Sequence, residues 1–386
     1  MDFLFSEEQN AFRLRARAWL AEHLPAAWRG GQHHPELDDD ADAAFQQRWE
    51  QSLHAGGFAG LHWPKAVGGQ GLSLWEHLVF QEELGRVAAP EGINSIGREL
   101  VGPLLLHLGT PQQQARYLPR ILDTSEIWCQ GFSEPGAGSD LRGLRTRVTR
   151  TGEGWVIQGQ KVWTSFARYA QFCIVLARTA GAEAGRESLT LFIVPMSAAG
   201  VRVRPLEQIT GRAEFNEVFF DGVVVPEDAV IGGVNAGWPA ARTVLDIERG
   251  TNRLYRQARF MNEWHEMARL ARRLEVDVDT ELGDLAAGLM VLRSRSWRLV
   301  RRVVQGDPVG AETSVHKLHW SSLHARMCQL GLRLVGEAMR RGDGDAPGVQ
   351  RLKNVYSYAR AETIFAGTTQ IQQEIVADRV LALPRK

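Results

Sequence analysis

The spacing of apolar residues changes twice along this 386-residue chain, and the change limits the folds open to it. Near the start, the segment from Ser6 to Gln9 (Ser-Glu-Glu-Gln) has the form of a helix capping box. Phe12, Ala16, Trp19 and Leu20 follow it at helical spacing. Helical stretches broken by glycines and prolines continue to about residue 122. The first third is therefore predicted to be helical.

A second pattern covers about residues 128 to 233, where short β-branched and apolar runs are separated by Gly and Asp turns. Val201 and Val203 alternate with Arg202 and Arg204, which is the period of a half-buried strand. After about residue 237 the helical spacing returns, for example at Leu323, Met327, Leu330 and Leu334, and it persists to a last helix near residues 370–381. The sequence predicts an α+β chain in three domains: an N-terminal helical domain (1–125), a central β domain (126–235) and a C-terminal helical bundle (236–386).

Composition argues against several classes of protein. The 45 basic and 45 acidic residues cancel without long runs of one sign, so nucleic-acid binding is not expected. Cys129, Cys173 and Cys328 lie far apart without metal-ligand spacing, which favours buried, reduced thiols and no metal site. No run approaches the roughly 18–20 apolar residues of a membrane span, and the N-terminus resembles neither a secretory signal nor a transit peptide. These features predict a soluble, cytoplasmic protein.

The segment from Gly131 to Asp140, Gly-Phe-Ser-Glu-Pro-Gly-Ala-Gly-Ser-Asp, concentrates small residues and hydroxyls at the start of the β region. Glycine has no Cβ, so backbone N–H groups in such a loop can approach a ligand closely. Taken alone, a tract of this composition is more often a tight surface turn.

Three segments together resemble the acyl-CoA dehydrogenase family. The Gly131–Asp140 segment resembles its signature loop, Lys161–Ser165 (Lys-Val-Trp-Thr-Ser) its strand against the flavin, and Phe365–Gln372 its C-terminal cofactor segment. They stand at the family's order and spacing, and the resemblance covers nearly the whole chain. It implies the acyl-CoA dehydrogenase fold, an FAD cofactor, and oxidation of an acyl-CoA thioester to the trans-2-enoyl-CoA in lipid β-oxidation.

The resemblance also implies roles for residues of the loop. Phe132, Ser133 and Gly138 would bind the flavin through backbone and hydroxyl groups, and Ser139 would contact the CoA chain. On strand Lys161–Ser165, the indole of Trp163 would pack on the isoalloxazine. Without the motif, an aromatic core residue in a strand is an equal explanation for Trp163.

Further cofactor contacts are implied at both other segments. Ser165 would place its hydroxyl near flavin N5, where the family usually has Thr, and Thr368 and Gln370 would contact FAD, across a subunit boundary or within the chain. From the residues alone, Thr369 with Gln372 is equally suited to cap the last helix, and both roles can coexist.

The family pattern is broken at Ala366, because many relatives have there the glutamate that removes the substrate's α-proton. In isovaleryl-CoA dehydrogenase and some long-chain relatives the base instead lies in an Asp-x-Glu-Arg setting on an earlier helix. Leu245-Asp-Ile-Glu-Arg249 matches that setting, which makes Glu248 the predicted base with Arg249 beside it. The Ala366 N–H would still polarise the thioester carbonyl, as a backbone donor needs no acidic side chain.

A second departure is that the family's Arg-x-x-Phe-Gly segment is not evident at residues 253–261. In this respect the chain resembles bacterial acyl-CoA dehydrogenases that act on steroid side chains and other bulky CoA esters, several of which assemble from two unlike subunits.

Three hypotheses follow for the function. The first is an active enzyme, a homo- or hetero-oligomer (dimer or tetramer), that passes electrons to an electron-transfer flavoprotein. The second is a non-catalytic, cofactor-completing subunit, and the third is a flavin oxidase or monooxygenase on the same scaffold.

Overall fold

The structure is a computed structural model that describes residues 5–26, 28, 36–179, 188–249, 256–307 and 310–384, with the backbone alone at 246–249 and 347. The chain divides into two compact units. The bundle unit comprises Met1–Glu36, Leu72–Pro90 and Arg249–Lys386, and the sheet unit comprises Leu37–Gly71 and Glu91–Glu248.

The described residues form helices first, then a sheet, then helices again, as the sequence predicts. The helices are α1 (Glu7–His23), α2 (Asp39–Ala55), α3 (Leu74–Arg86), α4 (Gly102–Leu108), α5 (Pro111–Leu122), α6 (Gly237–Arg249), α7 (Arg256–Arg273), α8 (Asp279–Val304), α9 (Glu312–Arg340), α10 (Pro347–Ala359) and α11 (Thr369–Arg379). The strands are β1 (Trp128–Gly131), β2 (Arg147–Thr151), β3 (Gly154–Ser165), β4 (Phe172–Arg178), β5 (Leu189–Pro195), β6 (Val201–Leu206), β7 (Phe215–Val225) and β8 (Val230–Ile231). The division into domains at residues 125 and 235 stays a prediction.

The predicted start of α1 is confirmed. The hydroxyl of Ser6 accepts the Gln9 N–H, and the Gln9 side chain accepts the Ser6 N–H, both at 3.1 Å. Each bond satisfies an N–H that the first helical turn leaves without an intrahelical partner. Phe12, Ala16 and Leu20 are buried on one face of the helix.

The core of the bundle unit is formed mainly by α7, α8, α9 and α10. Residues of α9 at helical spacing line its interior, and their burial confirms the periodicity seen in the sequence: Leu323, Met327, Leu330 and Leu334. A smaller cluster joins Leu78 of α3 to Leu299 and Val300 of α8.

The sheet unit is organised around strands in the order β6-β7-β3-β2-β4-β5-β8, with β1 parallel to β4. Along β4, Ile174 and Leu176 pack into a core shared with α4, α5 and α6. Cys173 and Val175 point the other way, into a core formed by strand residues such as Phe220. Because side chains alternate across a strand, burial of both faces explains why β4 is a continuous apolar run.

The alternation at the start of β6 is confirmed, with Val201 and Val203 half-buried and Arg202 and Arg204 exposed. All three cysteines are buried and free, as expected. Among the helices that the structure describes, none combines the length and apolar character needed to cross a bilayer.

Candidate active site

The loop after β1 is held close to the sheet at its start and opens outward further on. A side chain at Gly131 would place its Cβ 3.2 Å from Cys173 Sγ and from Lys161 Cγ, so the tight start of the loop favours glycine. Glu134 and Ala137 then close a small turn through two backbone hydrogen bonds of 2.9 and 3.0 Å. A Cβ at Gly138 would have no described atom within 4 Å apart from those of its chain neighbours. The open end of the loop has room for a ligand.

The four predicted ligand contacts in this loop differ in exposure. Phe132 is buried and Ser133 is half-buried at the sheet end, whereas Gly138 and Ser139 are exposed at the open end. The backbone N–H of Ser133 has no hydrogen-bond acceptor among the residues that the structure describes. An acceptor atom of a bound ligand can therefore occupy that position.

Lys161 and Glu134 form a buried ion pair beneath the loop. The ammonium of Lys161, fully buried in β3, donates to the Phe132 carbonyl at 3.0 Å and to Glu134 Oε1 at 2.8 Å. Glu134 also accepts the N–H groups of Arg145 at 2.6 Å and Thr146 at 2.8 Å. Burial lowers the pKa of Lys161 to about 8, against the opposing pull of the Glu134 charge. Burial raises the pKa of Glu134, but the charge and hydrogen bond of Lys161, together with the hydrogen bonds from Thr146 and Arg145, outweigh burial and lower the pKa.

Trp163 lies on β3 in a conformation that a regular strand does not allow. Its φ is +60°, and the pairing of β3 with β7 shifts register between Lys161 and Thr164. Positive φ is an outlier for a bulky residue and is found where surrounding structure or function requires it. The indole is 61% exposed and meets the Phe215 ring edge-on at 6.1 Å. An aromatic core residue, the alternative weighed for Trp163, is wrong.

Ser165 lies two residues further along β3. It is half-buried and pairs across the sheet with Phe215, which the Trp163 ring also contacts. The Val162 N–H donates to the Ser133 carbonyl at 2.9 Å and so joins β3 to the loop. The fold therefore brings Ser133, Trp163 and Ser165 into one neighbourhood, although about thirty residues separate the loop from the strand.

In the bundle unit, the segment before α11 is a tight turn built on Ala366 and Gly367, with φ of +55° and +85°. The buried side-chain amide of Gln372 donates to the Ala366 carbonyl at 2.8 Å and fixes this turn. The Ala366 N–H has no acceptor among the described residues, so it is available to a ligand.

The cap of the last helix differs by one residue from the expectation. Thr368 is the N-cap, and its hydroxyl accepts the Ile371 N–H at 3.2 Å. Thr369 is the first helical residue, so the proposed cap by Thr369 with Gln372 is wrong; Gln372 bonds to Ala366 instead. Thr368 is half-buried and Gln370 is exposed.

The predicted base lies on α6. The backbone of Glu248 and Arg249 is helical, and Val244, one turn earlier, is fully buried in the sheet-unit core. The side chains of Glu248 and Arg249 lie outside the described residues. Glu248 belongs to the sheet unit, whereas Ala366, Thr368 and Gln370 belong to the bundle unit.

From the sequence alone, Lys161 is only the first residue of the Lys161–Ser165 motif, and Glu134 has no predicted role. The available signal was a lone charged residue in a predicted strand, because a charge that becomes buried requires a partner. The hydrogen bond from Gln372 to Ala366 was not predicted either, because a side-chain contact across six residues follows no helix or strand periodicity.

Comparison with protein families places the whole chain. The family models for the acyl-CoA dehydrogenase N-terminal, middle and C-terminal domains match residues 6–125, 129–223 and 235–381.

Individual proteins give the same result. Acyl-CoA dehydrogenase IpdE1 of Mycobacterium tuberculosis is 40% identical, over 98% of this chain and 99% of that protein. The solved Tcur3481-Tcur3483 steroid ACAD has a TM-score of 0.85 at 27% identity, covering 100% of both chains. The ChsE4-ChsE5 complex of Mycobacterium tuberculosis has a TM-score of 0.84 at 26% identity, again over 100% of both chains.

Proposed function

The chain belongs to the acyl-CoA dehydrogenase family of FAD flavoproteins, and from that premise we propose that it forms a trans-2-enoyl-CoA with Glu248 as base. Removal of an α-proton beside a thioester needs a carboxylate to accept the proton and hydrogen-bond donors at the carbonyl oxygen, where negative charge develops. We assign the first task to Glu248 and the second to the Ala366 N–H, with Arg249 beside the base.

The residues present fit a flavin. Trp163 offers an exposed aromatic face and Ser165 a half-buried hydroxyl two residues on. Ser133, on the adjoining loop, offers an N–H without an acceptor among the described residues. Phe132 and Gly138 are further proposed FAD contacts in this loop. Thr368 and Gln370 are proposed to contact FAD as well, across a subunit boundary or within the chain. FAD, when bound, supplies the acceptor for the β-hydride at its N5 atom.

The assignment of Glu248 as base rests on two properties of Ala366, its side chain and its backbone N–H. Its methyl group cannot accept a proton, so the base must come from another position. Its N–H has no acceptor among the described residues, and the turn that presents it is fixed by Gln372 and by positive φ at two successive residues. The position thus retains a preorganised donor for a developing oxyanion without a carboxylate. Glu248 in its Asp-Ile-Glu-Arg setting is the matching acid residue.

The test is flavin reduction by an acyl-CoA, followed as loss of flavin absorbance in the Glu248→Gln variant. Glutamine keeps the shape and cannot accept the proton, so the rate should fall roughly 10²–10⁴-fold while CoA-ester affinity changes little. Glu153→Gln, at an exposed turn of the sheet unit, is the control and should reduce normally. Near-normal reduction by Glu248→Gln would overturn the assignment. Adding Ala366→Glu to that variant should restore part of the rate.

For the substrate we propose a bulky or branched acyl group carried on CoA, with Ser139 contacting the CoA chain. The similarity to a steroid ACAD supports this choice, and a base on the helix before residue 250 is associated with such substrates. A panel of straight, branched and cyclic acyl-CoAs, scored by flavin bleaching, tests it. Preference for straight chains would contradict the proposal.

For partners we propose an electron-transfer flavoprotein as electron acceptor, a cytoplasmic location and assembly with a second, unlike subunit. Both solved relatives above are named after two components, which supports a heteromer. The amount of FAD that copurifies with the protein distinguishes a hetero-oligomer from a homo-oligomer. A heteromer predicts little FAD in the chain purified alone and full FAD after co-expression with a paralogue. If Glu248→Gln in that complex leaves activity intact, this chain is the non-catalytic subunit instead.

A further inference from the structure

The Lys161 side chain, on strand β3, is buried completely in the sheet unit. Removing a charge from water is unfavourable unless a partner compensates, and an apolar side chain at such a site often gives equal or greater stability. Stability alone is therefore a weak reason for a lysine at this position, and the contacts of Lys161 indicate a different role.

One of those contacts is to the backbone of the loop. The ammonium donates to the Phe132 carbonyl at 3.0 Å, and the next residue of β3, Val162, donates its N–H to the Ser133 carbonyl at 2.9 Å. Two successive loop carbonyls are thus held by two successive residues of one strand. The register shift and the positive φ of Trp163 follow immediately.

The direction of the Phe132 carbonyl also fixes the direction of the Ser133 N–H. The two groups belong to one peptide plane, and the described chain has no cis peptide bond, so they point in opposite directions. With the carbonyl turned into the core at Lys161, the Ser133 N–H turns away from it. The Ser133 N–H has no acceptor among the described residues.

Glu134 completes the arrangement. Its carboxylate neutralises the ammonium at 2.8 Å and accepts the N–H groups of Arg145 and Thr146, just before β2 begins. The carboxylate therefore ties the loop to a second strand. Glu134 thus compensates the positive charge of Lys161, but of the two side chains only Lys161 donates a hydrogen bond to the Phe132 carbonyl.

We propose that Lys161 is a positioning residue of the flavin site: its buried ammonium holds the Phe132 carbonyl and thereby aims the Ser133 N–H at an acceptor atom of the isoalloxazine. The proposal rests on the proposed function, because that function identifies FAD as the ligand. Lys161 does not contact the reacting atoms, so its effect reaches the cofactor only through the loop backbone.

Three variants of the full-length protein, in the assembly that binds FAD, separate positioning from charge compensation. Lys161→Met leaves Glu134 buried without its counter-charge and should lower both the unfolding midpoint and the affinity for FAD. Lys161→Met with Glu134→Gln removes both charges and should recover part of the midpoint, because the amide keeps only one acceptor oxygen for the N–H groups of Arg145 and Thr146. FAD should still bind about tenfold more weakly. Glu134→Gln alone keeps the bond to Phe132, since a lysine amine donates in either protonation state, and its FAD affinity should stay within about threefold of the wild type.

The measurements are FAD titration of the apoprotein, denaturant unfolding, and amide hydrogen exchange of the peptide covering residues 131–138. We expect faster exchange in both variants that lack Lys161. Arg150→Ala, at an exposed pair with Glu227 on the same sheet, is the matched control and should change none of the three.

Wild-type FAD affinity and wild-type loop exchange in the double variant would overturn the proposal and leave Lys161 a structural residue. Weakening of FAD binding by Glu134→Gln as large as that by Lys161→Met would overturn it as well. If the wild-type protein does not bind FAD in any assembly, the proposed function fails. The exchange rates still decide in that case whether Lys161 holds the loop.

Discussion

The Nδ1 atom of His324 lies 2.5 Å from Oε2 of Glu362, and both side chains are buried in the bundle unit. The other ring nitrogen lies 2.8 Å from Oε2 of Glu263, and Arg256 bonds to the second oxygen of Glu362 at 2.9 Å. Burial opposes a charge on the imidazole, but the carboxylates of Glu362 and Glu263 outweigh it and raise the pKa of His324 well above its usual value. The described contacts therefore place two carboxyl groups, Glu362 and Glu263, on either side of the His324 ring, with Arg256 on the far oxygen of Glu362.

Glu362→Gln should destabilise the protein strongly, because it removes one anion and leaves an excess buried positive charge. Breaking a buried ion pair on one side costs about 3–5 kcal/mol of unfolding free energy. Chemical denaturation monitored by circular dichroism measures the change. Glu281→Gln removes the carboxylate of a largely exposed pair with Arg333 in the same unit and should have little effect. Equal effects of the two substitutions would contradict the buried cluster.

Acid should destabilise the protein through His316. Burial, followed by the charges of Arg295, His319 and Arg256, lowers the pKa of His316 to about 3. The unfolded chain binds a proton near pH 6.5 and the folded chain does not, so this contribution is full above pH 6.5 and declines as the pH falls toward 3. Its upper bound is about 5 kcal/mol.

The prediction for His316 is tested by unfolding free energy between pH 7 and pH 4. His316→Gln cannot titrate and should show a flatter loss of stability on acidification than the wild type. His265→Gln, at an exposed position of α7, should keep the wild-type slope. Parallel slopes in His316→Gln and the wild type would show that His316 is not the group responsible.

Ser165→Ala should slow flavin reduction modestly. The substitution removes a neutral hydrogen bond to the proposed cofactor, worth about 0.5–1.5 kcal/mol, which corresponds to a few-fold up to about tenfold in rate. Stopped-flow absorbance with a saturating acyl-CoA gives the rate. Ser197→Ala, on the exposed turn after β5, serves as the control. An unchanged rate in Ser165→Ala would remove this hydroxyl from the site.

Trp163→Gly should separate stability from cofactor binding. Glycine tolerates a φ of +60° without steric strain, and an indole that is 61% exposed contributes little burial, so the unfolding midpoint should hold or rise. FAD affinity should fall by about threefold to tenfold, the range expected for a lost aromatic stacking contact. Val224→Ala removes another exposed apolar side chain of the sheet and should leave FAD affinity unchanged. A lower midpoint with unchanged affinity would make Trp163 structural.

Local patterns in the sequence determined the elements of this fold. The Ser6 capping box, the α9 leucines and the alternation at Val201–Arg204 each follow from hydrogen bonds or burial within a few residues, and the structure confirms all three. The family membership was also readable, because the motifs that carry it are short and contiguous.

Tertiary structure alone decided what surrounds each functional residue. Whether Trp163 was a core residue or an exposed one depended on the register shift between β3 and β7. The burial of Lys161 depended on Glu134 and on a carbonyl 29 residues away. Capping and periodicity act over one or two turns of chain, so they leave a trace in sequence. A buried charge or a strained strand residue is stabilised by partners brought together only by folding, and no local pattern records those partners.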